Sequence, residues 1–239
     1  EKPQVLQRLI DGTGSTLDAT GMALYGRLVR NPVHAAGALA MFHAPALAQA
    51  PAVPDPQVWS RLSPAEQAER RKHAADQMRL RWAGADPTYS SHPYLTAKGI
   101  GPGGTRLDRE HILVPLFDAG GELTSLQSID PAGYKLFEAE LPVAGSAFVM
   151  GTPIPTAKAP VLVCEGFATG ASLHESTGRT VVVTFNAGNL TKVAERLVAA
   201  FPRTRWIVAG DDDRHKAANV GREAAGNAAH VLRCEAVFP

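Results

Sequence analysis

The chain has 239 residues, 45% of them hydrophobic, and a formal net charge of +1. That is room for one large or two small domains with a real core, and the near-neutral total by itself announces no polyanionic partner. Two cysteines without a CxxC pair exclude a zinc ribbon or finger, and no apolar stretch reaches membrane-spanning length.

Residues 1–56 are rich in Ala, Gly and Pro, with a helix expected at 17–29 and a Pro-rich linker at 44–56. Residues 27–50 imitate a signal peptide, with a basic start, an apolar middle and Ala48-Gln49-Ala50. The stretch is internal, and His43 and Pro45 interrupt it, so it is not read as one. The first residue is Glu1 rather than Met, which fits a piece of something longer.

Ser63-Pro64-Ala65-Glu66 is a helix start, with Ser as cap, Pro at the first position and Glu closing a capping box. The helix is expected to run to about Trp82. A shorter helix is expected from His92 to Lys98, stopped by Gly99. Residues 57–109 hold nine Lys/Arg against five Asp/Glu, while 111–159 hold two against five. A basic segment ahead of an acidic one fits a nucleic-acid path beside a metal site, and fits a solvated helix face equally well. Gly99-Ile-Gly101-Pro102-Gly103-Gly104 satisfies G-x-G-x-x-G but follows a helix rather than a strand, so it reads as loop punctuation.

Residues 111–150 read as antiparallel β. His111 to Phe117 is a strand, Asp118 to Gly121 a hairpin turn, Glu122 to Ile129 the return strand, then Tyr134 to Phe137 and a last strand at 145–150. From Pro160 strands alternate with helices: strands at 161–164, 181–185, 206–209 and 233–238, with helices at 168–176, 191–200 and 221–232 between them. Asn189 or Thr191 is the expected cap of the middle helix. This alternation means βαβ units and a parallel sheet. The expected fold class is therefore α/β: a parallel sheet flanked by helices, preceded by a smaller α+β subdomain with antiparallel strands. The expected division is 1–56, 57–159 and 160–239. Cys164 and Cys234 lie in apolar strand-like runs and read as buried free thiols of a reducing, cytoplasmic setting.

Two strand ends carry the chemistry. Val161-Leu-Val-Cys-Glu165-Gly166 stops at a glutamate, and Trp206-Ile-Val-Ala-Gly-Asp211-Asp212-Asp213 stops at three aspartates. Each alone reads as a turn. Together, one βα unit apart, they are brought to the same edge of a parallel sheet, where open α/β folds bind ligands. Carboxylates gathered there repel one another unless a cation neutralises them, and Mg²⁺ is the usual one.

With these motifs in place, 160–239 resembles a Toprim domain, the module shared by bacterial-type primases, topoisomerases and some nucleases. In that family a glutamate ends the first strand and a DxD motif ends the third, which Glu165 and Asp211-Asp212-Asp213-Arg214 match. The stretch His111 to Gln127, with Gly133-Tyr-Lys135-Leu-Phe137, resembles the β-rich segment that precedes Toprim in bacterial-type primases. His92-Pro-Tyr-Leu95, Lys98-Gly-Ile100, Arg106 and Phe185-Asn-Ala-Gly-Asn-Leu190 are similar to primase-like proteins of conjugative plasmids and phages. The resemblance covers about residues 59–239.

It implies RNA primer synthesis on a single-stranded DNA template from ribonucleoside triphosphates. Asp211 and Asp213 would hold Mg²⁺ or Mn²⁺, with Glu165 as a further ligand or a proton acceptor. Lys135, Lys98, Arg106 and Arg214 would contact nucleotide or nucleic-acid phosphates, although a hairpin lysine at 135 and helix-end charges at 98 and 106 are equally ordinary surface groups. Trp82, Tyr89 and Tyr94 are candidate stacking residues that core packing would also explain. The family's zinc-binding module is missing from this chain, and Asp212 stands where many relatives carry a smaller residue. A fused or associated helicase, relaxase or zinc-binding domain is the expected partner, with no role for a membrane. The rival readings are a Toprim nuclease and a non-catalytic nucleic-acid-binding module.

Overall fold

The computed structural model describes residues 56–211 and 219–238. The expected helix at 17–29 and the linker at 44–55 lie outside them. Helix α1 (Pro56–Arg61) leads into α2 (Pro64–Gly84), whose capping box forms: the Ser63 N–H donates to the Glu66 carboxylate at 2.8 Å while the Glu66 N–H donates to Ser63 Oγ. The side-chain and then the backbone bond from Ser63 hold the Glu66 carboxyl below the usual range.

Five short antiparallel strands follow in sequence order across the first sheet: β1 (Asp86–Pro87), β2 (Arg106–Asp108), β3 (His111–Phe117), β4 (Leu123–Ile129) and β5 (Lys135–Phe137). Between β1 and β2 lies α3 (Pro93–Lys98), ended by Gly99 in the left-handed conformation. The central strand β3 is buried on both faces, and its alternation separates two cores. Leu113, with Leu126, packs on Met78 of α2, while Ile112, Val114 and Leu116 face the other way. Arg81 ties α2 down: its Nε donates to Asp108 at 2.5 Å, and its Nη1 donates to Glu138 at 2.5 Å and to Ser128 at 3.0 Å.

The second sheet has the order β10-β9-β7-β8-β6. Strands β7 (Val161–Cys164), β8 (Val181–Val183), β9 (Trp206–Ala209) and β10 (Ala236–Val237) run parallel, and β6 (Phe148–Met150) is an antiparallel edge. Helices α4 (Phe167–Thr177), α5 (Ala187–Ala200) and α6 (Val220–Leu232) fill the connections. Val161, Val163, Val182 and Val208 pack under α5 and α6. Leu162, Cys164, Val181 and Val183, with Phe167 and Ala171 of α4, share one core with Ile112, Val114, Leu116 and Ile129 of the first sheet. The two sheets therefore sit on a common apolar layer, which burial of this kind stabilises by about 25 cal/mol per Å² of apolar surface.

The structure differs from the sequence reading in three places. β6, expected as the last strand of the β-rich block, pairs with β8 instead, Phe148 opposite Val183. Its buried Phe148 and Met150 belong to the shared core, and burial decides the pairing. Helix α5 starts at Ala187, with Asn186 at the cap position, so Asn189 is a buried interior residue and not the cap. Cys234 is only half-buried, although Cys164 is buried as expected; both are free thiols. Among the described residues no helix is long and apolar enough to cross a membrane.

Candidate active site

The chain leaves β7 for β8 on one side and returns through α5 to β9 on the other side of β7. The strand order therefore reverses between β7 and β9, and a crevice opens at their carboxyl ends, where such folds bind ligands. Parallel register places Cys164 beside Ala209. Glu165 follows directly, and Asp211 lies one residue beyond Gly210, so the two carboxylates flank this crevice. Both are half-buried.

Close packing sets both positions. On the Glu165 side, a Cβ on Gly170 of α4 would lie 2.5 Å from Val183 Cγ2 and 3.3 Å from Cys164 Sγ, so only glycine lets α4 sit this near the strand ends. On the Asp211 side, a Cβ on Gly221 would lie 2.8 Å from the Asp211 carbonyl oxygen. Asn219, which caps α6 by accepting from the Arg222 N–H at 3.1 Å, fixes the start of that helix beside Asp211.

The first sheet contributes the cations. Strand β5 is its edge, and the ring of Phe137 meets Phe185 edge-on with centroids 6.0 Å apart. Lys135, on the same face of β5 as Phe137, lies in the field of Asp211, Glu165 and Lys98 together. Lys135 is exposed at the strand edge, yet desolvation by the surrounding chain and then the like charge of Lys98 lower its pKa, against the pull of Asp211 and Glu165 in the other direction. Burial raises the Cys164 thiol far above its ordinary value, and Asp211 and Glu165 add to that shift. Four groups singled out in the sequence, Glu165, Asp211, Lys135 and Lys98, thus come together. Asp213, Asp212 and Arg214 lie outside the described residues.

Arg106 does not join them. Its Nη1 donates to the Trp82 carbonyl at 2.6 Å and its guanidinium lies 4.6 Å over the Trp82 ring, on the α2 face of the first sheet. Burial lowers its pKa. The cations of α2 are also turned away from the crevice and already engaged: Arg70 with Glu140, Lys72 and Arg79 with Asp76, Arg81 with Asp108 and Glu138. The solvated-face reading of the basic segment therefore describes α2. Trp82 serves Arg106, Tyr94 is core, and only Tyr89 of the three stacking candidates is exposed.

The donor set suits a hard divalent cation: two carboxylates on adjacent strand ends. Among the described residues no three acidic, histidine or cysteine side chains gather into a metal-ligating group.

Sequence reasoning missed two parts of this site. One is the left-handed backbone of Phe185, with φ 74°. The other is Asn189, whose side chain accepts from the Gly145 N–H at 2.5 Å and donates to the Ser146 and Thr184 carbonyls at 2.9 and 2.8 Å. The Phe185-to-Leu190 motif was the available signal.

Residues 160–236 match the family model of the Toprim domain. Two curated Escherichia coli proteins, both described as DNA primase TraC, are 38% identical over 182 residues and 37% identical over 184 residues, each match covering 73% of this chain. The matched part is 13% and 17% of those proteins' own lengths. Among solved structures the chain is similar to the primase fragment of the bacteriophage T7 primase-helicase protein, at 17% identity and a TM-score of 0.47, over 65% of this chain and 69% of that one. Residues 160–236 thus match the Toprim family, and most of the chain is similar to a short part of two proteins described as DNA primases, of which it spans under a fifth.

Proposed function

We propose that this chain is a metal-dependent nucleotidyl transferase core that makes RNA primers on single-stranded DNA. The observation that carries this reading is the placement of Glu165 and Asp211 at the carboxyl ends of adjacent strands where the strand order reverses, with Lys135 within reach of their charges. A lysine facing two carboxylates is the arrangement expected where a cation and a nucleotide's phosphates are held side by side.

Glu165, Asp211 and Asp213 would hold Mg²⁺ or Mn²⁺, which would supply charge stabilisation at the reacting phosphate. Lys135 and Lys98 contact the triphosphate or template phosphates. The 3′-hydroxyl oxygen forms a bond to the α-phosphorus of the incoming ribonucleoside triphosphate. The bond to the bridging oxygen breaks and pyrophosphate leaves with its electron pair. Glu165 takes the hydroxyl proton or completes the cation's ligands. Such chemistry is mostly positioning and electrostatics, so few side chains are required. The template backbone is held without reading its bases. Template delivery falls to an associated helicase, relaxase or zinc-binding domain, and the setting is the cytoplasm.

The test is labelled-ribonucleotide incorporation on single-stranded DNA with Mg²⁺ or Mn²⁺, beside a nuclease assay and an Asp211→Ala control. Oligoribonucleotides that vanish in the control support priming. Cleavage without synthesis replaces it with the nuclease reading, and metal-independent DNA binding alone replaces it with the binding-module reading.

A further inference from the structure

Phe185 stands between the two halves of the candidate site. Its N–H donates to the Glu165 carbonyl at 2.7 Å, directly after the Thr184 N–H donates to the Cys164 carbonyl at 2.9 Å. Its ring meets Phe137, two residues beyond Lys135 on β5. The backbone of one residue thus holds the acidic strand end while its side chain holds the strand that carries the lysine. The residue does this with φ at 74°, a left-handed conformation that is disfavoured for a bulky side chain. Such a conformation persists only where its surroundings impose it.

Asn189 is what imposes it. The side chain is buried, and its amide nitrogen donates to the Thr184 carbonyl, the peptide that leads into Phe185. The same nitrogen donates to the Ser146 carbonyl, and the oxygen accepts from Gly145. Residues 145 and 146 sit at the junction where the Phe117–Ala147 bridge joins the two sheets. Arg196 braces this junction from α5 by donating to the Gly145 carbonyl at 2.9 Å. Apart from the Arg196 guanidinium, the network is made of neutral amides. It connects peptides from the first sheet's exit, from β8 and from α5 at one buried amide.

We infer that Phe185 and Asn189 are positioning residues that set the placement of Glu165 relative to Lys135. Asn189 fixes the 184–185 peptide and with it the Glu165 strand end, and the Phe185 ring fixes the Lys135 strand. The inference rests on the reading of Glu165 and Lys135 as the cation and phosphate contacts, and it divides the labour in a way that separate measurements resolve.

The experiment uses the 239-residue chain, with Mn²⁺ binding measured by calorimetry and binding of a fluorescent ATP analogue measured by anisotropy. Glu165→Gln and Lys135→Ala first test the site itself. If Glu165→Gln leaves Mn²⁺ affinity unchanged and Lys135→Ala leaves analogue affinity unchanged, the site reading fails and takes this inference with it. With the site upheld, Phe185→Gly removes the ring while a glycine adopts the left-handed backbone freely. Its expected result is Mn²⁺ affinity within about twofold of the parent, as the backbone bond to Glu165 persists, and analogue affinity down about tenfold. Asn189→Ala is expected to weaken Mn²⁺ binding about tenfold or more, the range seen when the partners of metal ligands are removed. Phe185→Leu, which keeps bulk, is expected to restore part of the analogue affinity. If Phe185→Gly and Asn189→Ala only lower the melting temperature, with both affinities at parental values, the two residues are structural and the inference is overturned. Should Asn189→Ala not fold, the split between the two affinities in Phe185→Gly decides alone.

Discussion

Gly221 lies so close to Asp211 that a Cβ there would sit 2.8 Å from the Asp211 carbonyl oxygen. A helix residue with no side chain is thus what permits the aspartate its place at the strand end. In an exposed helix, Gly→Ala ordinarily stabilises by about 1 kcal/mol. Gly221→Ala is expected to lose that gain and to displace Asp211, lowering Mn²⁺ affinity about tenfold. Calorimetric Mn²⁺ titration beside circular dichroism checks both halves of the statement.

Gly170 makes a parallel case in the core. A methyl group there would lie 2.5 Å from Val183 Cγ2, and neither the strand nor α4 has room to yield. Overpacking of this kind costs about 1–3 kcal/mol, against a helix-propensity gain of about 1 kcal/mol. Gly170→Ala is expected to be net destabilising, as read from the midpoint of urea unfolding.

The depressed pKa of Lys135 gives a signed pH dependence. The fold disfavours the charged ammonium, so this penalty is fully present below the folded pKa. It is relieved as pH rises from that value towards the ordinary 10.5 of an unfolded lysine. Lys135→Met removes the penalty. It is expected to melt at the same or a higher temperature than the parent at neutral pH, with the difference shrinking through the alkaline window. The same variant is expected to bind nucleotide less well, and opposite signs for stability and binding mark a functional charge. Melting curves from neutral to alkaline pH check the first statement, and anisotropy checks the second.

The cations of α2 face away from the crevice and are paired, Lys72 and Arg79 within the helix and Arg70 with Glu140. Replacing Arg70 and Arg79 together by Ala is expected to leave single-stranded DNA affinity and its salt dependence nearly unchanged. Replacing Lys135 or Lys98 is expected to reduce the salt slope by about 1 for each. DNA binding across a salt series distinguishes the two sets.

Local rules made most of this fold legible. The capping box at Ser63 and Glu66, the left-handed stop at Gly99 and the strands 111–117, 161–164 and 206–209 need only near neighbours to be read, and the structure contains them. Where tertiary packing decides, the sequence is silent. Phe148 and Met150 carry no mark that sends them to β8 rather than to the hairpin strands, because the choice is made by Phe167 and the shared core. Asn189 looked like a cap because asparagine is a good one, and its actual bonds run to residues 44, 43 and 5 positions away. Arg106 and the α2 cations were indistinguishable from site residues by charge alone, since charge does not say which face of a sheet a side chain occupies. That Glu165 and Asp211 reach one sheet edge was legible because parallel register carries strand ends there whatever the packing elsewhere.

The apolar layer between the sheets bears on how such modules can be exchanged. Residues 160–236, the extent of the Toprim match, leave out β6, and without the first sheet the layer formed by Leu162, Val181, Val183 and Phe167 would keep only the cover that α4 gives it. A partly uncovered apolar layer beside an unpaired edge invites association with other chains. Transplanting this stretch onto a different upstream region would require a new lid of matching shape, so its upstream half and its Toprim half are bound to change together.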